Sequence, residues 1–241
     1  MPTGDKMTKP KIGAIIQARM SSRRFPNKVL YEIEGKPLLG YLLDRLQQCN
    51  SIECVVAATS IDESDTPIAE YCKNHRIECY RGSLNDVAGR FKGAIEHYGF
   101  GSFVRVNGDS PLLDQLLIDH AVETFLKDDY DVVTNTLKRT YPKGQSVEVI
   151  RADAFNLAYK SMQKEDEFEH VTRFFYKYPE NYRIYNFMYK DNLGDIQLSV
   201  DTEEDMDTFK AIISEMSQPH WEYHLEDILG IYRTLWDRKQ S

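Results

Sequence analysis

Between residues 12 and 136, short runs of small and β-branched apolar residues alternate with longer amphipathic runs, and this alternation narrows the possible folds more than any other feature. "KIGAII" (11–16) precedes the helical pattern "KPLLGYLLDRLQQC" (36–49), and "CVVAAT" (54–59) precedes a helix around 67–74. The rhythm continues through "IECYR" (77–81), a helix over 86–98, "SFVRVN" (102–107), a helix over 114–126 and "DVVTNT" (131–136). Apolar runs this short suit strands buried on both faces, and strands separated by helices form βαβ units. Thr66 before Pro67, and Ser110 before Pro111 with Asp109 just ahead, read as helix starts, because a side-chain oxygen caps free N–H groups and proline fits the first turn. The expected fold is α/β: a doubly wound, mostly parallel sheet with right-handed crossovers.

From about 137 to 195 the rhythm breaks. "KRTYPKGQSVEVI", a helix near 151–162, an aromatic helix "FEHVTRFFYKY" (168–178) and the strand "YRIYNFMY" (182–189) predict an inserted excursion with antiparallel strands. "DIQLSV" (195–200) is expected as a strand running into a helix with an acidic first turn, and 223–237 as an amphipathic helix. No repeat or Gly/Ser-rich linker divides the chain, so 11–241 reads as one domain behind a loose tail over 1–10.

Composition removes several classes of function. An excess of 38 acidic over 30 basic residues opposes non-specific nucleic-acid binding, which needs a broad cationic surface. No apolar stretch approaches a membrane span, and the first ten residues lack the apolar core of a signal peptide. Cys49, Cys54, Cys72 and Cys79 form no C-x-x-C pair and have no histidine at ligand spacing, so reduced thiols and a cytoplasmic location are expected. No Ser/His/Asp or Cys/His pattern supports a covalent nucleophile.

In open α/β sheets, ligands bind beyond the carboxyl ends of the strands. The loop after the first strand carries Arg19, Arg23, Arg24 and Lys28 with the hydroxyls of Ser21 and Ser22, a set suited to the several charges of a polyphosphate. Its spacing matches neither a Walker loop nor G-x-G-x-x-G. "NGDSP" sets Asp109 after a strand, where it either reaches a phosphate-bound cation or serves as turn and cap. "VDTEED" sets Asp201 in the same situation, with Thr202 or Asp201 as the alternative cap. In the insertion, Arg139, Lys143, Glu148 and His170 are polar candidates for an acceptor, with Tyr141 to stack against it.

These residues together resemble the cytidylyltransferase group of nucleotidyltransferases, most closely the branch of spore-coat polysaccharide biosynthesis proteins, over residues 11 to 215. The opening pattern is met by Ile16, Gln17, Ala18, Arg19, Met20, Ser22, Arg24, Pro26 and Lys28. "EGKPLL", "YRGSLNDVAGRF", "RVNGDSPLLD", "VTNTLKRTYPKGQSVEV", "EHVT" and "VDTEED" follow in the family's order. The resemblance implies a Rossmann-like, nucleotide-diphospho-sugar transferase-like fold. It also implies Mg²⁺-dependent transfer of CMP from CTP to a small anionic acceptor, with a homodimer as a further expectation, and similarity to the enzymes that make CMP-sugar acids.

By the same resemblance, Ala18, Arg19, Ser22, Arg24 and Lys28 hold the nucleotide, Arg81, Asp86 and Arg90 bind it or organise its pocket, and Asp109 and Asp201 hold the metal. Arg19, Lys28, Asp109 and Asp201 are then the catalytic set. Arg139, Tyr141, Lys143, Gln145, Glu148 and His170 fall on the acceptor side. Ser21, Arg23, Phe25 and Asn27 depart from the commoner Gly, Thr, Leu and Gly, predicting a bulkier loop less free to take positive φ. "KGQS" (143–146) replaces a commoner acidic stretch, which favours a strongly anionic acceptor. Two rivals are a nucleotide-sugar glycosyltransferase, which usually shows an Asp-x-Asp pair where this chain has one aspartate, and a nucleotide-binding subunit without activity.

Overall fold

The computed structural model describes residues 11–240, so the expected tail over 1–10 lies outside the described residues. The first half follows the alternation closely: β1 (Ile12–Gln17), a two-strand ribbon of β2 (Glu32–Ile33) and β3 (Lys36–Pro37), α1 (Leu38–Leu46), β4 (Cys54–Ser60), α2 (Thr66–Asn74), β5 (Glu78–Gly82), α3 (Val87–Tyr98), β6 (Ser102–Asn107) and α4 (Gln115–Lys127). The second half contributes β7 (Val132–Thr134), β8 (Glu148–Arg151), α5 (Ala152–Ser161), α6 (Glu165–Glu169), α7 (Arg173–Lys177), β9 (Ile184–Asn186), α8 (Glu203–Ser214) and α9 (Leu225–Gln240).

Seven strands form one sheet in the order β5-β4-β1-β6-β8-β7-β9, and β8 is its antiparallel member, paired to β6 on one side and β7 on the other. β9 runs parallel to β7, so the excursion supplies one antiparallel strand rather than several. Helices cover both faces. Ile12, Ala14 and Ile16 of β1 pack with α1, α2, α4, α8 and α9, while Ile15 packs with α3, α5 and α7. That division follows from the period-2 geometry of a strand, and each fully buried Leu, Ile or Phe contributes about 1.5–3 kcal/mol.

Four further expectations change. Residues 195–200 form no strand; a single parallel bridge, Lys143 to Gln197, holds this stretch, since Lys143 N–H donates to Ile196 O and Leu198 N–H to Lys143 O. The aromatic helix is broken, because His170 leaves helical geometry (φ −110°, ψ 88°) and the buried, β-branched Val171 turns into the core between α6 and α7. Thr66 is the first residue of α2 rather than its cap, and Asp65 occupies the cap position with its carboxylate used elsewhere. Helix α4 has the extent expected, but its cap is Asp114, whose Oδ1 accepts from Leu116 N–H, and not Ser110.

Candidate functional site

The site forms where β1 and β6 end side by side, Gln17 opposite Asn107. Gly108 N–H donates to Gln17 O at 2.9 Å, and a Cβ on Gly108 would lie 3.0 Å from that oxygen, so glycine lets the two loops touch. Val200 N–H donates to Asp109 O at 2.8 Å, drawing the segment before α8 against the same edge. Asp109 and Asp201 therefore converge: Lys28 Nζ stands 3.0 Å from an oxygen of each and 2.6 Å from Val200 O. The Lys28 side chain is 7% exposed, while the two carboxylates remain open to solvent on one side.

Capping of α8 leaves Asp201 available. Thr202 Oγ1 accepts from Asp205 N–H, and Asp205 Oδ2 accepts from both Asp201 N–H and Thr202 N–H. The helix start is thus satisfied by Thr202 and Asp205. Asp201 Oδ1 accepts from Lys28 and from Arg24, whose Nη2 is 2.9 Å away.

The basic loop is held by a residue not singled out in the sequence. Asp65, fully buried, accepts Met20 N–H at 2.7 Å through one oxygen and Ser60 N–H and hydroxyl through the other. Ser22 and Asn27 N–H groups both donate to Met20 O at 2.9 Å. Asn27 takes left-handed geometry (φ 63°, ψ 8°), so the turn expected to suffer from the lost glycine is made by the non-glycine residue type that best tolerates it. Phe25 packs on Tyr31. Arg19 is only loosely engaged, 3.7 Å from Glu169.

Two cavities adjoin here. One, about 310 Å³, is lined by Gln17, Ser22, Arg24, Lys28, Asp109 and Asp201, among others. The other, about 920 Å³, is lined by Asn85, Asp86, Tyr159, Glu165 and Phe168. Arg19, Arg23 and Glu169 belong to both, so they form one groove.

The remaining candidates divide. Ala18 is buried beneath the loop and its N–H donates to Ala58 O. Arg81 donates to the carbonyls of Ser60 and Asp62 and to the Thr66 hydroxyl, which braces the β4–α2 loop. Asp86 caps α3 through Gly89 N–H and accepts from the Tyr159 hydroxyl at 2.7 Å, facing the larger cavity. Burial, with the Asp86 contact behind it, raises the Tyr159 hydroxyl to about 12. Arg90 is buried, donates to Ser83 O, and is lowered to about 10 by desolvation.

Among residues placed on the acceptor side, Tyr141 is packed edge-on against Phe187 and Tyr189, and Gln145 is a fully buried brace joining Asp114 N–H to Leu112 O. Glu148 is buried opposite Arg105 near the carboxyl end of β6, bonded to Arg105 Nη1 at 2.6 Å and to the Tyr176 hydroxyl. Burial pushes the Glu148 carboxyl up, but Arg105 and the hydroxyl bonds hold it below the ordinary glutamate value, while burial and Glu148 push Tyr176 well up. Arg139 donates to the Ser146 hydroxyl, and Lys143 and His170 are exposed and outside both cavities. Asp65, Arg105, Tyr159 and Tyr176 escape sequence reasoning because nothing local marks a buried partner far along the chain.

The family model for cytidylyltransferases matches residues 13–229. The spore coat polysaccharide biosynthesis protein SpsF of Bacillus subtilis is 30% identical over 213 residues, covering 85% of this chain and 87% of that one. A cytidylyltransferase structure from Leptospira borgpetersenii superposes with a TM-score of 0.90 at 27% identity, over 95% of this chain and 96% of the other. A CMP:2-keto-3-deoxy-manno-octonic acid synthetase solved with CTP shares the fold, with a TM-score of 0.67 at 15% identity over 85% and 99% of the two chains. With a strand-end cleft of this composition and relatives that match it nearly end to end, the chain belongs to the cytidylyltransferase family.

Proposed function

We propose that the protein transfers CMP from CTP to a small anionic acceptor, a sugar acid or a phosphorylated small molecule, and releases pyrophosphate. The observation that supports this best is the Lys28 ammonium, 3.0 Å from both Asp109 and Asp201, at the floor of a cleft also lined by Arg19, Ser22 and Arg24. Such a lining complements a triphosphate, and the adjoining larger cavity has room for a nucleoside. The relative solved with CTP and the relative named for polysaccharide biosynthesis favour CTP and an acceptor destined for surface polysaccharide.

In this reading, an acceptor oxygen attacks the α-phosphorus as the bond from that phosphorus to the bridging oxygen of the β-phosphate breaks, and pyrophosphate leaves with the electron pair. Arg19, Arg24 and Lys28 answer the charge that grows on the leaving group. An acceptor that is already an oxyanion needs no general base, in keeping with a cleft that holds no histidine among the described residues. Asp109 and Asp201 fit Mg²⁺ by donor type: two carboxylates plus substrate oxygens suit this ion, and no ready cluster of three or more acidic, His or Cys ligands exists among the described residues. When bound there, Mg²⁺ would neutralise phosphate charge.

The reading extends to a cytoplasmic homodimer, for which exposed Tyr185, Met188 and Trp236 offer apolar contact; a monomer in sedimentation at high protein concentration removes that part. The catalytic part is tested by mixing the protein with Mg²⁺, each nucleoside triphosphate and panels of sugar acids and phosphate esters. Pyrophosphate release with CTP and an anionic acceptor is expected. No release from any pairing, while CTP still raises the melting temperature, overturns it.

A further inference from the structure

Gln17 ends β1 and lines the smaller cavity with Lys28, Asp109 and Asp201. Its carboxamide is oriented by a side chain of the neighbouring strand β6. Arg105 Nη2 lies 3.3 Å from Gln17 Oε1, and a guanidinium only donates, so the oxygen faces Arg105 and the NH₂ group faces away from it. Arg105 is itself anchored: it sits directly opposite Glu148 in the antiparallel β6–β8 pair, and its Nη1 donates to Glu148 Oε2. The other oxygen of Glu148 accepts from the hydroxyls of Tyr176 and Thr136, and the Glu148 side chain is only 2% exposed. Among the described residues, no acceptor takes Gln17 Nε2.

We propose that Gln17 is a phosphate-binding residue: its NH₂ group, held toward the cleft by Arg105 and Glu148, donates to anionic oxygens of the bound nucleotide. The inference rests on reading this cleft as the triphosphate site. Arg105 and Glu148 act as positioning residues, their charges cancelling one another, so the floor gains an oriented donor without gaining net charge. A face that only donates selects an anionic oxygen over a donor group. This also accounts for a buried Glu148 that serves the site without reaching it.

The test is calorimetric titration of the protein with CTP and, separately, with inorganic tripolyphosphate. Gln17→Leu should weaken both ligands about tenfold or more, the usual consequence of losing a hydrogen bond to a charged group. Arg105→Lys keeps a cation beside Glu148 but lacks the planar fork that spans both partners, so a smaller loss, about threefold, is expected. Added to Gln17→Leu, the Arg105→Lys change should cost nothing more, since both act through one amide. Gln17→Glu can pair with Arg105 yet offers no N–H, and should weaken binding at least as much as Gln17→Leu; it decides the matter if the leucine variant fails to fold.

Affinities of Gln17→Leu or Gln17→Glu equal to wild type, or losses that multiply in the double variant, overturn the proposal. Gln17-dependent binding without pyrophosphate release would sink the transfer reaction and leave this inference standing. Pyrophosphate release with unchanged affinity and rate in Gln17→Leu would do the reverse.

Discussion

The half of the sheet built from β1, β4, β5 and β6 and the half built around β7, β8 and β9 use polar residues in opposite ways. In the first, parallel strands all end at one edge, and Lys28 and Asp109, in the segments that follow β1 and β6, converge in the cleft. In the second, an antiparallel strand and a long connection turn polar residues inward: Gln145 braces the loop of Asp114, and Glu148 neutralises Arg105 on the strand paired to it. Parallel order makes "polar residue after a strand" a statement about position. Antiparallel order does not, since successive ends point to opposite edges.

The contrast can be broken most sharply at Glu148. Glu148→Ala strands Arg105 in a largely buried setting and should destabilise the fold by about 3–5 kcal/mol, read by denaturant unfolding. Because the folded carboxyl is held below the glutamate reference of 4.5, its contribution is complete above that value and is lost as pH falls through the folded one. The advantage of wild type over Glu148→Gln should therefore shrink as unfolding is measured from neutral pH down into the acid range. A gap that widens on acidification contradicts the ion pair.

Lys28→Met should act on the reaction instead, lowering the rate of pyrophosphate release by about 10²–10³-fold, the range seen when one oriented transition-state donor is lost. If turnover survives Lys28→Met but falls with Lys143→Ala, the two halves have been assigned the wrong way round. At Thr202, replacement by alanine removes the α8 cap and should cost about 1 kcal/mol in thermal unfolding, with a modest loss of turnover as Asp201 loosens. Lys143→Ala, at an exposed side chain, should move stability by less than about 0.5 kcal/mol and leave the affinity for CTP unchanged.

The strands of the parallel half and the cations of the basic loop were legible because their signals are local. A buried strand declares itself in five or six consecutive residues, and Arg19, Arg23, Arg24 and Lys28 lie within ten positions. Asn27 was legible as a departure but not in its effect, since only the folded turn shows that it takes the left-handed conformation itself. The break at His170–Thr172 was hidden by an aromatic run that looks helical throughout, and the missing strand at 195–200 by an alternation that found a single partner, Lys143.

The sequence by itself determined the α/β order, the basic loop after β1, and two aspartates in segments that lead into helices. Tertiary structure alone decided that those aspartates meet on one ammonium, that Asp65 shapes the loop from 45 residues away, and that Arg105 and Glu148 turn the amide of Gln17. The reason is physical. Hydrophobic period and turn chemistry act between neighbours in the chain, whereas a buried charge is tolerable only beside its partner, and packing across the sheet sets which residue that partner is.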